Sequence, residues 1–331
     1  MNTVKFWIKN SRYHALPQSL IPALLAVFLA RRQEDFQVLY AFLAVFGVIL
    51  GHLGVNLFDD FFDYLKKEQF FRDTMAREGM RARVGKCAYL ISRQATLRQL
   101  FAACLIFCSL SILIGFFLFL MRGEFILFIT AMAAFLGIFY SAWPIRLSYH
   151  GMGELTVAVM FGPLLMFGVF YSACGYFDPA LWFLAIPIGL LATTIVYTHS
   201  ILDAEPDKKA GKVTFAVLLG NKWFMLAGLV AFVTIAYLLV FLGIQTGFLP
   251  KTYVMVFLTF PLAVGLFRLM YLYTVNPRHP VQRKFWMGPM QSWERIVAQK
   301  IDWFMIRWYV SRNLLVAFCL TIVLASLLSR H

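Results

Sequence analysis

Long apolar runs recur along the whole sequence, and no other feature constrains the chain as strongly. Crossing the hydrocarbon of a bilayer takes about 20 apolar residues in a helix. Runs of that order occupy 16–30, 38–62, 97–121, 125–143, 155–174, 181–202, 224–248, 253–273 and 308–328. Backbone amides inside lipid must find partners within their own segment, so continuous runs imply helices, whereas a barrel would alternate apolar and polar residues. The expected fold is all-α, a polytopic membrane bundle of about nine transmembrane helices. It forms one domain over 1–331, and its first helix is short and carries Pro17 and Pro22.

Composition points the same way. The chain is 61% hydrophobic and 14% charged, against about 45–50% and about 25% for a soluble domain. Its net charge of +14 would suit nucleic acid in a polar chain. In so apolar a chain it marks loops facing the anionic cytoplasmic leaflet, so no nucleic-acid partner is expected. The five cysteines form no CxxC pair and the six histidines are scattered singly, which leaves no haem or copper spacing. Residues 1–14 are polar and basic, so no cleavable signal peptide is expected. With the N-terminus inside, the long basic loops 64–96, 203–222 and 276–307 fall on the cytoplasmic side, where function is expected.

Only 16 residues are acidic, so their placement is informative. Asn56, Asp59, Asp60 and Asp63 recur at i, i+3, i+4 and i+7 and share one helix face, with Phe58, Phe61 and Phe62 on the others. Carboxylates so close repel one another and need a cation. In a second run Asp203 and Asp207 stand at i, i+4, and Pro206 should kink or end the helix there. Hard oxygen ligands without Cys or His suit Mg²⁺, which binds through one or two carboxylates plus substrate phosphates. Two such runs imply a pair of metal ions bridging one diphosphate, with Asp59, Asp60, Asp63, Asp203 and Asp207 as ligands. No Walker A loop or GxGxxG accompanies them.

The runs Asn56…Asp59-Asp60-x-x-Asp63 and Asp203-x-x-x-Asp207-x-x-x-Gly211-Lys212-x-Thr214 resemble the paired signature motifs of the UbiA superfamily of intramembrane aromatic prenyltransferases. Finer marks are similar to the 1,4-dihydroxy-2-naphthoate branch of menaquinone synthesis. They are Arg12-Tyr13-His14-Ala15-Leu16-Pro17, Tyr140-Ser141-Ala142-Trp143-Pro144-Ile145-Arg146, Gly151-Met152-Gly153-Glu154 and the run Thr214–Gly220. Position 59 is Asp where many relatives carry Asn, and His199 stands about where relatives often have Asn.

The resemblance implies a bundle whose central cavity opens to the cytoplasmic side. It also implies transfer of a polyprenyl group from its allylic diphosphate to an aromatic acceptor, with CO₂ lost if the acceptor is the naphthoate. Asp60, Asp63, Asp203 and Asp207 are then the catalytic carboxylates. Asn56, Tyr140, Arg146, His199 and Lys212 become substrate-binding candidates, and Arg81, Arg83 and Lys86 become diphosphate contacts beside the first run. For the loop cations and Arg146 a topology charge is the plain alternative, and for Tyr140 an interfacial aromatic. Arg268 could be a buried carboxylate partner, and Glu154 could merely favour a helix N-terminus. Other acceptors remain open: 4-hydroxybenzoate, homogentisate, haem or another lipid-quinone precursor. A cation-coupled transporter is the alternative from another class. An integral membrane protein is expected, in the inner membrane if bacterial, with no obligate protein partner.

Overall fold

The computed structural model describes residues 3–65, 87–277 and 279–329. Helices dominate, and the described residues contain no strand beyond one isolated bridge between His150 and Val213. Besides a single turn at Ala88–Ile91, the helices are α1 (Thr3–Asn10), α2 (Pro17–Ala30), α3 (Val38–Leu65), α4 (Leu97–Arg122), α5 (Glu124–Phe139), α6 (Gly153–Cys174) and α7 (Pro179–Leu202). They continue with α8 (Ala204–Lys209), α9 (Phe215–Leu219), α10 (Lys222–Gln245), α11 (Lys251–Val275), α12 (Trp293–Ala298) and α13 (Asp302–Leu328). All nine apolar runs are helical. Among the described residues seven (α3, α4, α6, α7, α10, α11 and α13) are long and apolar enough to cross a membrane. The 14-residue α2 and 16-residue α5 reach only ~21–24 Å at ~1.5 Å per residue, short of a ~30 Å hydrocarbon core.

The chain divides into two compact units. The first comprises Met1–Tyr149 and Pro163–Asp178, and the second His150–Gly162 and Pro179–His331. The division falls inside α6, in a π-helical turn at Met160–Leu164 that contains Pro163. A proline lacks the amide that a regular turn needs, which favours the wider turn there.

In the first unit α3 and α4 approach closely because α3 presents Gly47, Gly51 and Gly54. A Cβ at these positions would meet the side chains of Ile114, Ser111 and Cys108 on α4. Small residues let apolar helices come within van der Waals contact, the main attraction available where lipid is as apolar as the side chains. Ser111 adds a hydrogen bond from Oγ to the Gly47 carbonyl at 2.8 Å, and His52 Nδ1 lies 2.8 Å from Ser19 Oγ on α2. Arg122 at the end of α4 donates to the carbonyls of Ser172 (3.0 Å), Ala173 (3.1 Å) and Asp35 (3.2 Å). It thereby satisfies orphan carbonyls of the last turn of α6, which stops at Gly175 with φ +69°.

In the second unit α6 and α7 cross at Gly162 and Gly189, where a Cβ on either would overlap the other helix's backbone. Tyr197 Oη donates to the Met225 carbonyl on α10 at 2.9 Å, and Thr198 Oγ1 lies 3.0 Å from Ser311 Oγ on α13. The segment expected as a loop over 276–307 is partly helical. It holds α12, and α13 starts at Asp302, so Arg307 is helical and fully buried. Polar residues of α13 hold the rest of that segment in place. Tyr309 Oη donates to the Gln291 carbonyl (2.9 Å), Arg312 Nη2 to Pro289 (2.9 Å) and Asn313 Nδ2 to Met287 (2.7 Å). The apolar run alone could not reveal this, because the helix extends through polar residues that have tertiary partners.

Close backbone crossings carry a checkable consequence. Gly189→Ala should lower the stability of the detergent-solubilised protein by about 1–3 kcal/mol through overpacking against the Ala158 carbonyl. Gly247→Ala meets nothing within 4 Å and carries only the left-handed strain of φ +79°, about 1 kcal/mol. Thermal unfolding of both variants should rank them in that order.

Candidate active site

The first carboxylate run ends α3. Helical periodicity brings Asp60 and Asp63 inward, 3% and 2% exposed, while Phe58, Phe61 and Phe62 are half-buried. The cation that their repulsion requires is Arg12, from the left-handed turn (φ 59°) between α1 and α2. Arg12 Nη2 pairs with Asp59 Oδ2 at 3.0 Å and with Asp60 Oδ1. Burial alone would lower the Arg12 pKa, but Asp60 and Asp59 outweigh it and hold the guanidinium above the ordinary arginine value. Asn56, one turn earlier, donates from Nδ2 to the Ser11 carbonyl at 3.1 Å and so fixes the turn that carries Arg12.

Neutral donors complete the frame. Ser141 Oγ donates to Asp59 Oδ1 at 2.7 Å, Tyr89 Oη to Asp60 Oδ2 at 3.2 Å and Tyr149 Oη to Asp63 Oδ1 at 2.7 Å. Burial, and then the neighbouring Asp60 carboxylate, push the Tyr89 phenol well above its usual pKa, so it remains a donor. Its ring meets Trp7 and Phe6 of α1 edge-on at 6.0 and 6.1 Å, which docks the N-terminal helix beside Asp60. Arg146 is buried with its guanidinium 3.6 Å from the centre of the ring of Tyr149, the residue that donates to Asp63. Tyr140 is half-buried, and its carbonyl accepts the Ser148 amide at 3.0 Å to close the 140–149 loop.

The second run lies in the second unit. The spanning helix stops at Leu202, and α8 restarts with Pro206 in its first turn, where an amide is not needed. The break falls one turn before Pro206, as a proline requires, because Pro206 has no amide to offer the Leu202 carbonyl. The Asp207 amide donates to the Asp203 carbonyl at 2.8 Å, so the two aspartates stay one turn apart, 6% and 3% exposed. Gly211, at φ +71°, then turns the chain so that the Lys212 amide donates to the Asp207 carbonyl at 2.9 Å. Thr214 Oγ1 caps α9 by accepting the Val217 amide at 3.3 Å. His199 is half-buried between the rings of Phe304 (4.6 Å) and Trp308 (6.4 Å) on α13.

Each unit thus gathers its own set: Asn56, Asp59, Asp60, Asp63 and Arg146 in one, and His199, Asp203, Asp207 and Lys212 in the other. Arg81, Arg83 and Lys86 lie outside the described residues, although Cys87, which follows them, has its Sγ 3.5 Å from the Asp60 carbonyl. Arg268 is exposed and so is not a buried partner. Sequence reasoning missed Arg12, Tyr89, Ser141 and Tyr149 as carboxylate partners. Arg12 and Ser141 did fall inside strings marked by the resemblance, whereas Tyr89 carried no signal.

Among the described residues no three His, Cys, Asp or Glu side chains converge to hold a metal ion by themselves. The donor set, carboxylate oxygens with no sulfur or imidazole among them, is nonetheless the type that Mg²⁺ takes together with substrate phosphates.

The model of the UbiA prenyltransferase family matches residues 19–293. The chain belongs to that family. UbiA prenyltransferase domain-containing protein 1 of Dictyostelium discoideum is 37% identical over 120 residues, a stretch that spans 36% of this chain and 36% of that protein. The 1,4-dihydroxy-2-naphthoate octaprenyltransferase of Bacillus subtilis is 26% identical over 76% of this chain and 77% of its own length. The fold matches an apo UbiA homolog from Aeropyrum pernix with TM-score 0.62 at 16% identity, covering 94% of this chain and 96% of that one. It also matches a UbiA homolog from Archaeoglobus fulgidus bound to GPP and Mg²⁺ with TM-score 0.56 at 16% identity, covering 94% and 99%. This is therefore an integral membrane prenyltransferase, and the transport alternative finds no support.

The carboxylate frame should rank its members by charge. Arg12→Ala removes a guanidinium bonded to both Asp59 and Asp60, and should destabilise the protein by about 3 kcal/mol, the lower end for a buried pair because Asp59 is partly exposed. Tyr149→Phe removes one donor from Asp63 and should cost about 1–2 kcal/mol. Thermal unfolding in detergent without added divalent ions measures both.

Proposed function

We propose that the protein transfers a polyprenyl group from an allylic polyprenyl diphosphate to 1,4-dihydroxy-2-naphthoate, with loss of CO₂, in menaquinone biosynthesis. One observation carries the reading: two aspartate runs at the ends of spanning helices, each held in a hydrogen-bonded frame, in a chain of the UbiA prenyltransferase family. The naphthoate is favoured because relatives from several bacteria are named as transferases to that acceptor.

Asp59, Asp60 and Asp63, with Asp203 and Asp207, would hold Mg²⁺, a pair of ions in this reading, together with the diphosphate. The metal supplies charge neutralisation of the leaving group as the allylic C1–O bond breaks. The bonding pair departs with the diphosphate, and Lys212, Arg81, Arg83 and Lys86 stabilise the charge that grows there. The resulting allylic cation is captured by the ring carbon that bears the carboxylate. A C–C bond forms, and the ring regains its electrons as CO₂ leaves. Asn56, Tyr140, Arg146 and His199 contact the substrates, and the apolar helix faces exclude water while the cation exists. The diphosphate site faces the cytoplasm, in the inner membrane if the source is bacterial, and no protein partner is needed.

The test is product analysis by mass with purified protein, Mg²⁺, a polyprenyl diphosphate and candidate acceptors offered separately. The decarboxylated prenyl naphthalenediol is expected, and a product from 4-hydroxybenzoate alone would overturn the acceptor assignment. Chelation should abolish turnover. Asp60→Ala and Asp207→Ala should each lower it by roughly 10²–10³-fold or more while the protein stays folded.

A further inference from the structure

The segment after the second aspartate run is braced from α6, and a single carboxylate makes the brace. Glu154, 3% exposed, stands in the first turn of α6. Its Oε2 accepts the Phe215 amide at 3.2 Å, and its own carbonyl accepts Thr193 Oγ1 of α7 at 3.2 Å. Three residues earlier the Gly151 amide donates to the Val213 carbonyl at 2.7 Å, and His150 pairs with Val213 in the isolated bridge. Val213 and Phe215 are thus both fastened to 150–154, with Thr214 capping α9 between them. Lys212 comes immediately before this fastened stretch, and its amide is tied back to Asp207. The loop from Asp207 to Phe215 has fixed ends.

Stability alone does not account for a carboxylate here. Glu154 Oε1 is buried and has no hydrogen-bond partner among the described residues. A buried carboxyl with one oxygen left without a partner is costly, and an amide side chain could accept the same bond. The charge does make that bond stronger than a neutral one, and so makes the segment stiffer.

We propose that Glu154 is a positioning residue for the donor diphosphate. By holding the Phe215 amide it fixes the 213–215 segment and delivers the Lys212 ammonium to the phosphate oxygens. The inference rests on the reading of Lys212 as a diphosphate contact, and goes beyond it by naming what sets that side chain in place.

The experiment measures KM for the prenyl diphosphate and for the aromatic acceptor separately, together with kcat, on purified full-length protein with Mg²⁺. Lys212→Ala should raise the donor KM about tenfold. Glu154→Ala should raise the same KM about five- to tenfold and lower kcat no further than Lys212→Ala does, with the acceptor KM within about twofold, because Lys212 binds the diphosphate in the ground state and also meets the charge that grows on it. Glu154→Gln, which keeps an oxygen for the Phe215 amide but not the charge, should recover part of the loss. The double variant should be no worse than Lys212→Ala alone, since the two act through one contact. An unchanged donor KM in Lys212→Ala would sink the reading of Lys212 and the inference with it. A raised donor KM in Lys212→Ala with an unchanged one in Glu154→Ala would sink the inference alone. Equal rises in both KM values, or multiplying effects in the double variant, would also overturn it. Should Glu154→Ala fail to accumulate, Glu154→Asp, one carbon too short to reach the amide, gives the same test.

Discussion

The ion pair of Arg12 with Asp59 and Asp60 is the interaction on which the first unit is organised. Three carboxylates on the last turns of a spanning helix repel one another and are costly to bury. A guanidinium meets that cost where an ammonium would do so less well, since its planar fork can bond two carboxylates at once. Everything nearby serves the same arrangement. Asn56 holds the turn bearing Arg12, while Tyr89, Ser141 and Tyr149 each give one hydroxyl to one aspartate. The result is a set of acidic oxygens held in place by the bonds they accept.

The second unit reaches a similar end with backbone geometry instead of an ion pair. Helix α7 stops, a short helix restarts one residue later, and the left-handed Gly211 brings Lys212 back to Asp207. Polar residues within apolar helices do related work elsewhere. Arg122 closes the end of α6, and Arg312 and Asn313 hold the 287–291 segment. In a chain this apolar, a buried polar side chain with backbone partners replaces the loop contacts that water would otherwise satisfy.

Much of this was legible in the residues. All nine apolar runs are helices, because hydropathy over about 20 residues reports a local requirement of the bilayer. The one-sided placement of Asp59, Asp60 and Asp63 followed from 3.6-residue periodicity, which is equally local. Where the reading failed, the cause was tertiary. Residues 302–307 looked like loop because Asp302 and Arg307 are charged, yet they continue α13 with Arg307 bonded to the Leu269 carbonyl.

The sequence by itself determined that the apolar runs are helical, which face the aspartates share and the family, since each depends on composition or spacing within a short window, while two of the nine runs form helices too short to span. Only the tertiary structure decided which groups stand against those aspartates. Arg12 is 47 residues from Asp59, Ser141 is 82 residues from it, and Tyr149 is 86 residues from Asp63. No periodicity links such positions. A buried carboxylate demands a donor but does not specify its place in the chain, and helix packing alone chooses which donor arrives.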